Sequence, residues 1–301
     1  MEKTVKLKAK STYKRLDVFL NDSIKELSRS EISKIILNDK VTLNNKLVQK
    51  KNIPVEVNDI IEIIILKKKE FSDGYSPKTE LIKLFEDDYF IIINKPSGIL
   101  VHPGSGRRNE TIMDIFHYYY PKTINIPDSD RQGIVHRLDK DTTGILILAK
   151  DQNTMKLFQE KFKNREIQKT YTAIVHGKPR FLNGTLDFSI GRSKKNKTKF
   201  VVSDEEDAKD AITDYSLIEA FKNSAILELY PKTGRTHQLR VHMAHQKTPI
   251  IGDITYGKRD NEKNMFLHAS KIEFSHPITN ENISVQCPLP QHFKDKLNSF
   301  I

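Results

Sequence analysis

"IVHRLDKDTTGILIL" spans residues 134–148. Two apolar runs that read as buried strands flank a loop carrying His136, Arg137, Asp139, Lys140, Asp141 and Thr142. Short apolar runs bounded by polar turn residues are the pattern of core strands. The loop sets a carboxylate between an arginine and a lysine, in a chain that already has an excess of positive charge. One reading is a solvated turn whose surface ion pairs are each worth little. The other is a working carboxylate, held ionised by cations in a cleft that takes an anionic substrate.

Composition narrows the choice. Of 301 residues, 50 are Lys or Arg and 39 are Asp or Glu, which leaves a net charge of +11. Such a balance favours a polyanionic partner such as nucleic acid, although a basic surface also suits acidic lipid. No apolar run approaches the roughly 18 residues that would read as a membrane span. The opening "MEKTVKLKAK" has no apolar signal-peptide stretch. Cys287 is the only cysteine, which leaves no internal disulfide and no cysteine-based zinc site. The expectation is a soluble, cytoplasmic protein with no membrane association.

Residues 1–14 read as an N-terminal tail and residues 15–66 as a compact unit. Leu16, Phe19 and Leu20 have helical spacing, as do Ile32, Ile35 and Ile36. Ser28 with Glu31 makes a capping-box signature ahead of the second helix. Val41 and Leu43 alternate into Asn44-Asn45, a pair that tolerates the positive φ of a hairpin turn. "NDIIEIIIL" supplies a closing strand. Arg15, Arg29 and Lys34 are among the bases scattered through these elements, which suits a small nucleic-acid module. Residues 67–80, charged and interrupted by Gly74 and Pro77, read as a linker.

From residue 81 to 301 short apolar strands mix with a few helices. "YFIIINK", "GILILAK", "KTYTAIVHG" and "SAILELY" read as strands, "NTMKLFQEKFKN" as an amphipathic helix and "THQLRVHMAHQ" as a second helix. Strands that do not alternate regularly with helices predict an α+β domain with a mixed sheet, not a dinucleotide-binding fold. "GRSKKNKTKF" (191–200) reads as a basic loop or hairpin.

Three features can carry chemistry: the Asp139 loop, Tyr171 in a strand, and "TGRTHQLRVHMAHQKTPIIGD" (233–253), which clusters Arg235, His237, Arg240, His242 and His245. An arginine on a helix can hold a carboxylate through its planar fork and keep it charged. Other chemistries fit less well. His242 and His245 lie three apart without an acidic ligand between them, so no metal site is expected. "HPGSG" (102–106) lacks the phosphate-loop lysine. Asp139 and Asp141 are too close along the chain to face a glycosidic bond from opposite sides.

At these residues the chain resembles the large-ribosomal-subunit pseudouridine synthases of the RluA/RluD type. "GIVHRLDKDTTGILILAK", "INKPSGILVHPGSG", "QKTYTAIVHG" and "TGRTHQLRVHMAHQKTPIIGD" match successive motifs of that family, over residues 81 to about 290. Residues 15–66 resemble the RNA-binding module first seen in a small-subunit ribosomal protein and in tyrosyl-tRNA synthetases. "HPGSG", "HYYYP" and "HRLDKDTTG" are most similar to the RluD branch, which modifies uridines in the helix 69 stem-loop of 23S rRNA. The resemblance implies a small α/β RNA-binding module followed by a catalytic domain with a mixed, mostly antiparallel sheet and a central cleft. It implies Asp139 as the catalytic aspartate, Tyr171 stacked on the target base and Arg240 paired with Asp139. Arg137 would fill the space left by the flipped uridine, and His136, Lys140, Thr142, Arg235 and His237 would bind substrate. Two positions depart from the pattern: Asn45 stands at a usual glycine of the small module, and Ala208 at another in the "GKxAxT" stretch.

The implied reaction moves uracil from an N–C to a C–C glycosidic bond. Nothing is gained or lost, so no cofactor is expected. The aspartate could attack the sugar, attack carbon 6 of the base, or remove a sugar proton. The expected partner is large-subunit rRNA or its assembly intermediate, met by a monomer. Two rivals are an assembly factor that binds RNA without catalysis and a different RNA-directed enzyme such as a methyltransferase or nuclease. The intact Asp139, Tyr171 and Arg240 oppose the first. The missing glycine loop and metal constellation oppose the second.

Overall fold

The computed structural model describes residues 2–24, 27, 29–66, 75–103, 110–126, 131–196, 198–258 and 260–300. They divide into two compact units, Met1–Pro77 with Ile124–Gln132, and Lys78–Thr123 with Gly133–Ile301.

In the first unit, helices α1 (Leu16–Ser23) and α2 (Arg29–Leu37) accompany a sheet of β1 (Glu2–Lys8), β2 (Val41–Leu43), β3 (Lys46–Leu47) and β4 (Ile60–Leu66), in the order β1-β4-β2-β3. Leu16, Phe19, Leu20, Ile32, Ile36, Val41, Ile61 and Ile63 form its core, as their spacing predicts. Asn44 and Asn45 take φ of +49° and +62°, so asparagine does the work of the expected glycine. Asn44 further ties the turn down: its Nδ2 donates to Asp59 and its Oδ1 accepts from the Ile60 N–H.

One expectation is corrected here. Residues 1–14 are not a tail, because β1 pairs antiparallel with β4 from Glu2↔Leu66 to Lys8↔Ile60. Val5 and Leu7 turn towards the core while Lys6 faces out to pair with Glu62 at 2.9 Å. Lysines alternating along an edge strand blur its apolar signal while protecting the edge. The Ser28 capping residue and the 67–74 part of the linker lie outside the described residues.

The second unit is α+β. Its sheet comprises β5 (Lys83–Glu86), β6 (Phe90–Lys95), β7 (Thr143–Ala149), β8 (Gln168–His176), β9 (Asn183–Asp187), β12 (Ile212–Ala220), β13 (Ser224–Pro231), β14 (Leu267–Ser275) and β15 (Asn282–Gln286). The order is β5-β6-β7-β14-β8-β13-β12-β9, with β15 also on β14. A separate hairpin, β10 (Ile190–Arg192) with β11 (Phe200–Val202), is formed by the basic stretch. Helices α3 (Ile112–Tyr119), α4 (Gln152–Lys163), α5 (Gln238–His245) and α6 (Gln291–Asn298) complete it.

Among the described strands only β7 and β14 run parallel, touching at His268↔Thr143 and Ala269↔Gly144. All seven residues of β7 are buried, which is why it reads as a continuous apolar run. The first apolar run of the opening stretch differs from expectation: Ile134 makes a single bridge to Leu148 and no strand. Two further bonds continue that contact. The Ala149 N–H donates to the Gly133 carbonyl, and the Ile147 N–H to Nε2 of His136. The 133–136 segment thus serves the edge of β7 that β14 leaves after Gly144, so that buried backbone stays bonded.

Gly144 permits the β7–β14 approach. Its φ is +105°, and a Cβ there would lie 2.3 Å from the Ala269 carbonyl oxygen. Gly144→Ala is therefore expected to destabilise the protein by about 3 kcal/mol or more, since both overpacking and a left-handed backbone oppose it. Urea denaturation measures this, and an unchanged midpoint would contradict the account.

Candidate active site

The loop between Ile134 and β7 carries Asp139, and three neighbouring segments hold that loop in place. Lys95, fully buried at the end of β6, donates to the carbonyls of Pro96 (2.8 Å), Ile99 (3.0 Å) and Lys140 (2.9 Å). Burial pushes its pKa down to about 7, against the pull of Asp141 and Asp139. Gly98 N–H also donates to the Lys140 carbonyl, and the Ser97 hydroxyl to that of Asp141. On the far side, the Thr143 hydroxyl bonds to Nδ1 of buried His268, whose Nε2 donates to the Cys287 carbonyl. Burial pushes the His268 pKa down to about 4, so the ring is neutral at pH 7.

Arg240 reaches the loop from α5. Its Nη1 donates to Oδ2 of Asp139 at 3.0 Å, across 101 positions of sequence. Its other edge is bound to Asp253: Nε to Oδ2 at 2.7 Å and Nη2 to Oδ1 at 2.8 Å. The guanidinium also lies over the Tyr256 ring, 5.1 Å from its centroid. Burial pulls the Arg240 pKa down, but Asp253 and then Asp139 outweigh it and hold it above the ordinary value. Burial likewise pushes Asp253 up, and Arg240 with the Tyr256 and Thr255 N–H groups brings it below the usual carboxylate range.

His237 precedes α5 in the left-handed conformation, φ +57°. Its Nε2 stands 3.9 Å from Oδ1 of Asp139, and its Nδ1 is bonded to the Tyr256 hydroxyl at 2.8 Å. Tyr256 also accepts the Phe200 N–H. All three groups are satisfied when Tyr256 donates to Nδ1, which leaves the ring proton on Nε2, towards Asp139. Burial holds the His237 pKa below the ordinary value, with Asp139 pulling the other way. Tyr171 lies in β8, packed between two apolar clusters. Burial and the charge of Asp139 both raise its pKa, so its hydroxyl stays protonated.

Asp139, Arg240, His237 and Tyr171 are therefore brought together, with Arg137 exposed on the same loop and felt electrostatically by His237. The other expected residues stand differently. His136 was expected to bind substrate, but its ring accepts the Ile147 N–H, lies against Phe162 and is kept neutral by burial, which pushes its pKa down to about 3. Lys140 has an exposed residue but contributes its carbonyl to the Lys95 anchor. Thr142 is buried with no partner for its hydroxyl among the described residues. Nε of Arg235 is held on the Asp210 carbonyl. In the small unit, Arg15 grips Asp17 of its own helix through two bonds, Arg29 is exposed, and the Lys34 side chain lies outside the described set.

Lys95, Asp253 and Tyr256 were not singled out by the sequence. A lysine ending the run "YFIIINK" and an aspartate following Gly252 were the available signals, and both also suit ordinary strand ends and turns. Among the described residues, no three His, Cys, Asp or Glu side chains converge as metal ligands. No helix among them is long and apolar enough to cross a membrane.

A family model described as RNA pseudouridylate synthase matches residues 89–245, and an S4 domain model matches residues 14–61. The chain is 37% identical to ribosomal large subunit pseudouridine synthase D of Haemophilus influenzae, over 95% of this chain and 90% of that protein. It is 35% identical to ribosomal large subunit pseudouridine synthase C of Buchnera aphidicola, over 95% and 94%. Among solved structures, human RNA pseudouridylate synthase domain containing 4 is similar at a TM-score of 0.60 and 27% identity, covering 73% of this chain and 92% of that one.

Proposed function

The chain belongs to the RNA pseudouridylate synthase family and carries an S4 domain, and from that premise we propose that it converts specific uridines of large-subunit ribosomal RNA to pseudouridine. The observation that carries the reading to particular residues is the 3.0 Å bond from Arg240 to Asp139. A uridine stacked in RNA is out of reach, so the nucleotide is flipped into the site at a cost of a few kcal/mol. Phosphate contacts from basic surfaces, and Arg137 entering the vacated space, offset that cost. Tyr171 supplies a face for the base, and Asp139, ionised beside Arg240, acts on the nucleotide as nucleophile or base. The protein works as a monomer in the cytoplasm, on rRNA or an assembly intermediate.

The named relatives include both D-type and C-type synthases. The D-type motifs "HPGSG" and "HYYYP" favour the helix 69 stem-loop as the target. Chemical mapping of pseudouridine in rRNA from cells lacking this protein tests both levels. Loss of modification in that stem-loop is the expected result. Loss elsewhere in the large-subunit rRNA would overturn the target, and an unchanged map would overturn the function.

The S4 unit has its own core, and we assign it affinity rather than chemistry. A chain beginning at residue 75 is expected to modify concentrated short RNA while binding long rRNA weakly. Full-length binding should weaken steeply with salt, because bound phosphates release counterions. Equal affinities with and without residues 1–74 would contradict this division.

A further inference from the structure

We infer that Asp253 is the positioning carboxylate of the Asp139 site: it takes Nε and Nη2 of Arg240 and leaves only Nη1 to face Asp139. This rests on the proposed function, and deepens it. An unopposed guanidinium prefers to grip a carboxylate through two parallel N–H bonds. Such a grip on Asp139 would engage both of its oxygens. Asp253 occupies that edge of Arg240 instead. The result is asymmetric: Oδ2 of Asp139 accepts from Nη1, while among the described residues Oδ1 has only the 3.9 Å approach of His237 Nε2.

Asp253 is itself fixed. Its side chain is 1% exposed, and Oδ1 also accepts from the N–H groups of Thr255 (2.9 Å) and Tyr256 (3.1 Å). The preceding Gly252 has φ +74°, where a Cβ would lie 1.9 Å from the Asn264 carbonyl oxygen. The Gly257 N–H closes the turn on the Asp253 carbonyl. The backbone thus holds Asp253, Asp253 holds Arg240, and Arg240 orients Asp139. Because one cation is shared by two carboxylates, Asp139 is paired without being neutralised.

Among the described residues, the charged and titratable groups around Asp139 are Arg240 and His237 at α5, Tyr171 on β8, Lys95 on β6, Asp253 and Tyr256 in the turn, and Arg137, Lys140 and Asp141 on its own loop. Asp253→Asn removes one negative charge and frees the fork of Arg240, and both changes favour an ionised Asp139. The test is single-turnover conversion of an rRNA stem-loop at saturating full-length protein, across pH. The expected rate loss for Asp253→Asn is on the order of 100-fold, as for a misplaced reacting group. RNA affinity should stay within about twofold, since no phosphate contact is touched. The acid limb should move to lower pH, and Asp253→Glu should return it to the wild-type position while the rate remains reduced. An unmoved acid limb in Asp253→Asn, or affinity lost in step with rate, overturns the inference. If wild-type protein converts no RNA, the function has failed, and hydrogen exchange at the Arg240 Nε–H decides this inference by itself. Exchange about tenfold faster in Asp253→Asn, the loss of one charge-assisted bond, supports it, and equal exchange overturns it.

Discussion

Asp139→Asn is expected to fold, to bind RNA as wild type does, and to form no detectable pseudouridine. Asparagine has the same shape, and its Oδ1 can still accept the Arg240 Nη1–H that now reaches Oδ2 at 3.0 Å. Lys95 and Gly98 continue to hold the loop through the Lys140 carbonyl, so the backbone is undisturbed. What disappears is the negative charge and the lone pair able to attack or to take a proton. Loss of an attacking group costs on the order of 10⁴-fold or more in rate. Single-turnover assays on an rRNA stem-loop, beside thermal melting, separate chemistry from folding. Turnover within tenfold of wild type would remove Asp139 from its assigned role.

The second large effect is expected at Arg240. Arg240→Met leaves Asp253 buried without its cation, and breaking a buried pair in this way costs about 3–5 kcal/mol. The pH dependence follows from Asp253, whose pKa in the folded protein is held below the usual carboxylate range by Arg240. A lowered carboxylate pKa stabilises the fold above the unfolded value of about 4, and the benefit is lost as pH falls through the folded value. In Arg240→Met burial is left to raise the Asp253 pKa, so the stability difference from wild type should be full above that raised value, begin to shrink as pH falls through it, and shrink further below about pH 4. Catalysis should fall too, and the residual rate should climb with pH, because a carboxylate without its cation ionises less readily. Arg240→Lys keeps the charge but cannot reach Asp253 through two N–H groups and Asp139 through a third, so it should be impaired yet active. PH–rate profiles of both variants provide the check. Wild-type rate and profile in Arg240→Met would show that the pair has no part in the reaction.

Opposite movements of the acid limb, upward for Arg240→Met and downward for Asp253→Asn, distinguish the two partners of one guanidinium. A general loss of packing would not produce that contrast.

Elements that depend on neighbours along the chain were readable from the residues in order. β7 followed from an unbroken apolar run, the small unit's core from helical spacing, and the Asn44-Asn45 turn from the tolerance of asparagine for positive φ. The motifs around Asp139, Tyr171 and Arg240 were legible as well, because each is a contiguous string. Tertiary structure alone decided how those strings meet. The sharing of Arg240 between Asp139 and Asp253 joins segments 101 and 13 residues away from it. The bond from the Ile147 N–H to His136 fills a stretch of β7 edge that is open only once β14 has diverged after Gly144. The pairing of β1 with β4 likewise depended on an edge about 60 residues distant, which the lysines of β1 gave no local reason to expect. Periodicity and turn chemistry are local and can be read in order. Which buried donor meets which acceptor is set when distant segments are desolvated together and every polar group must find a partner.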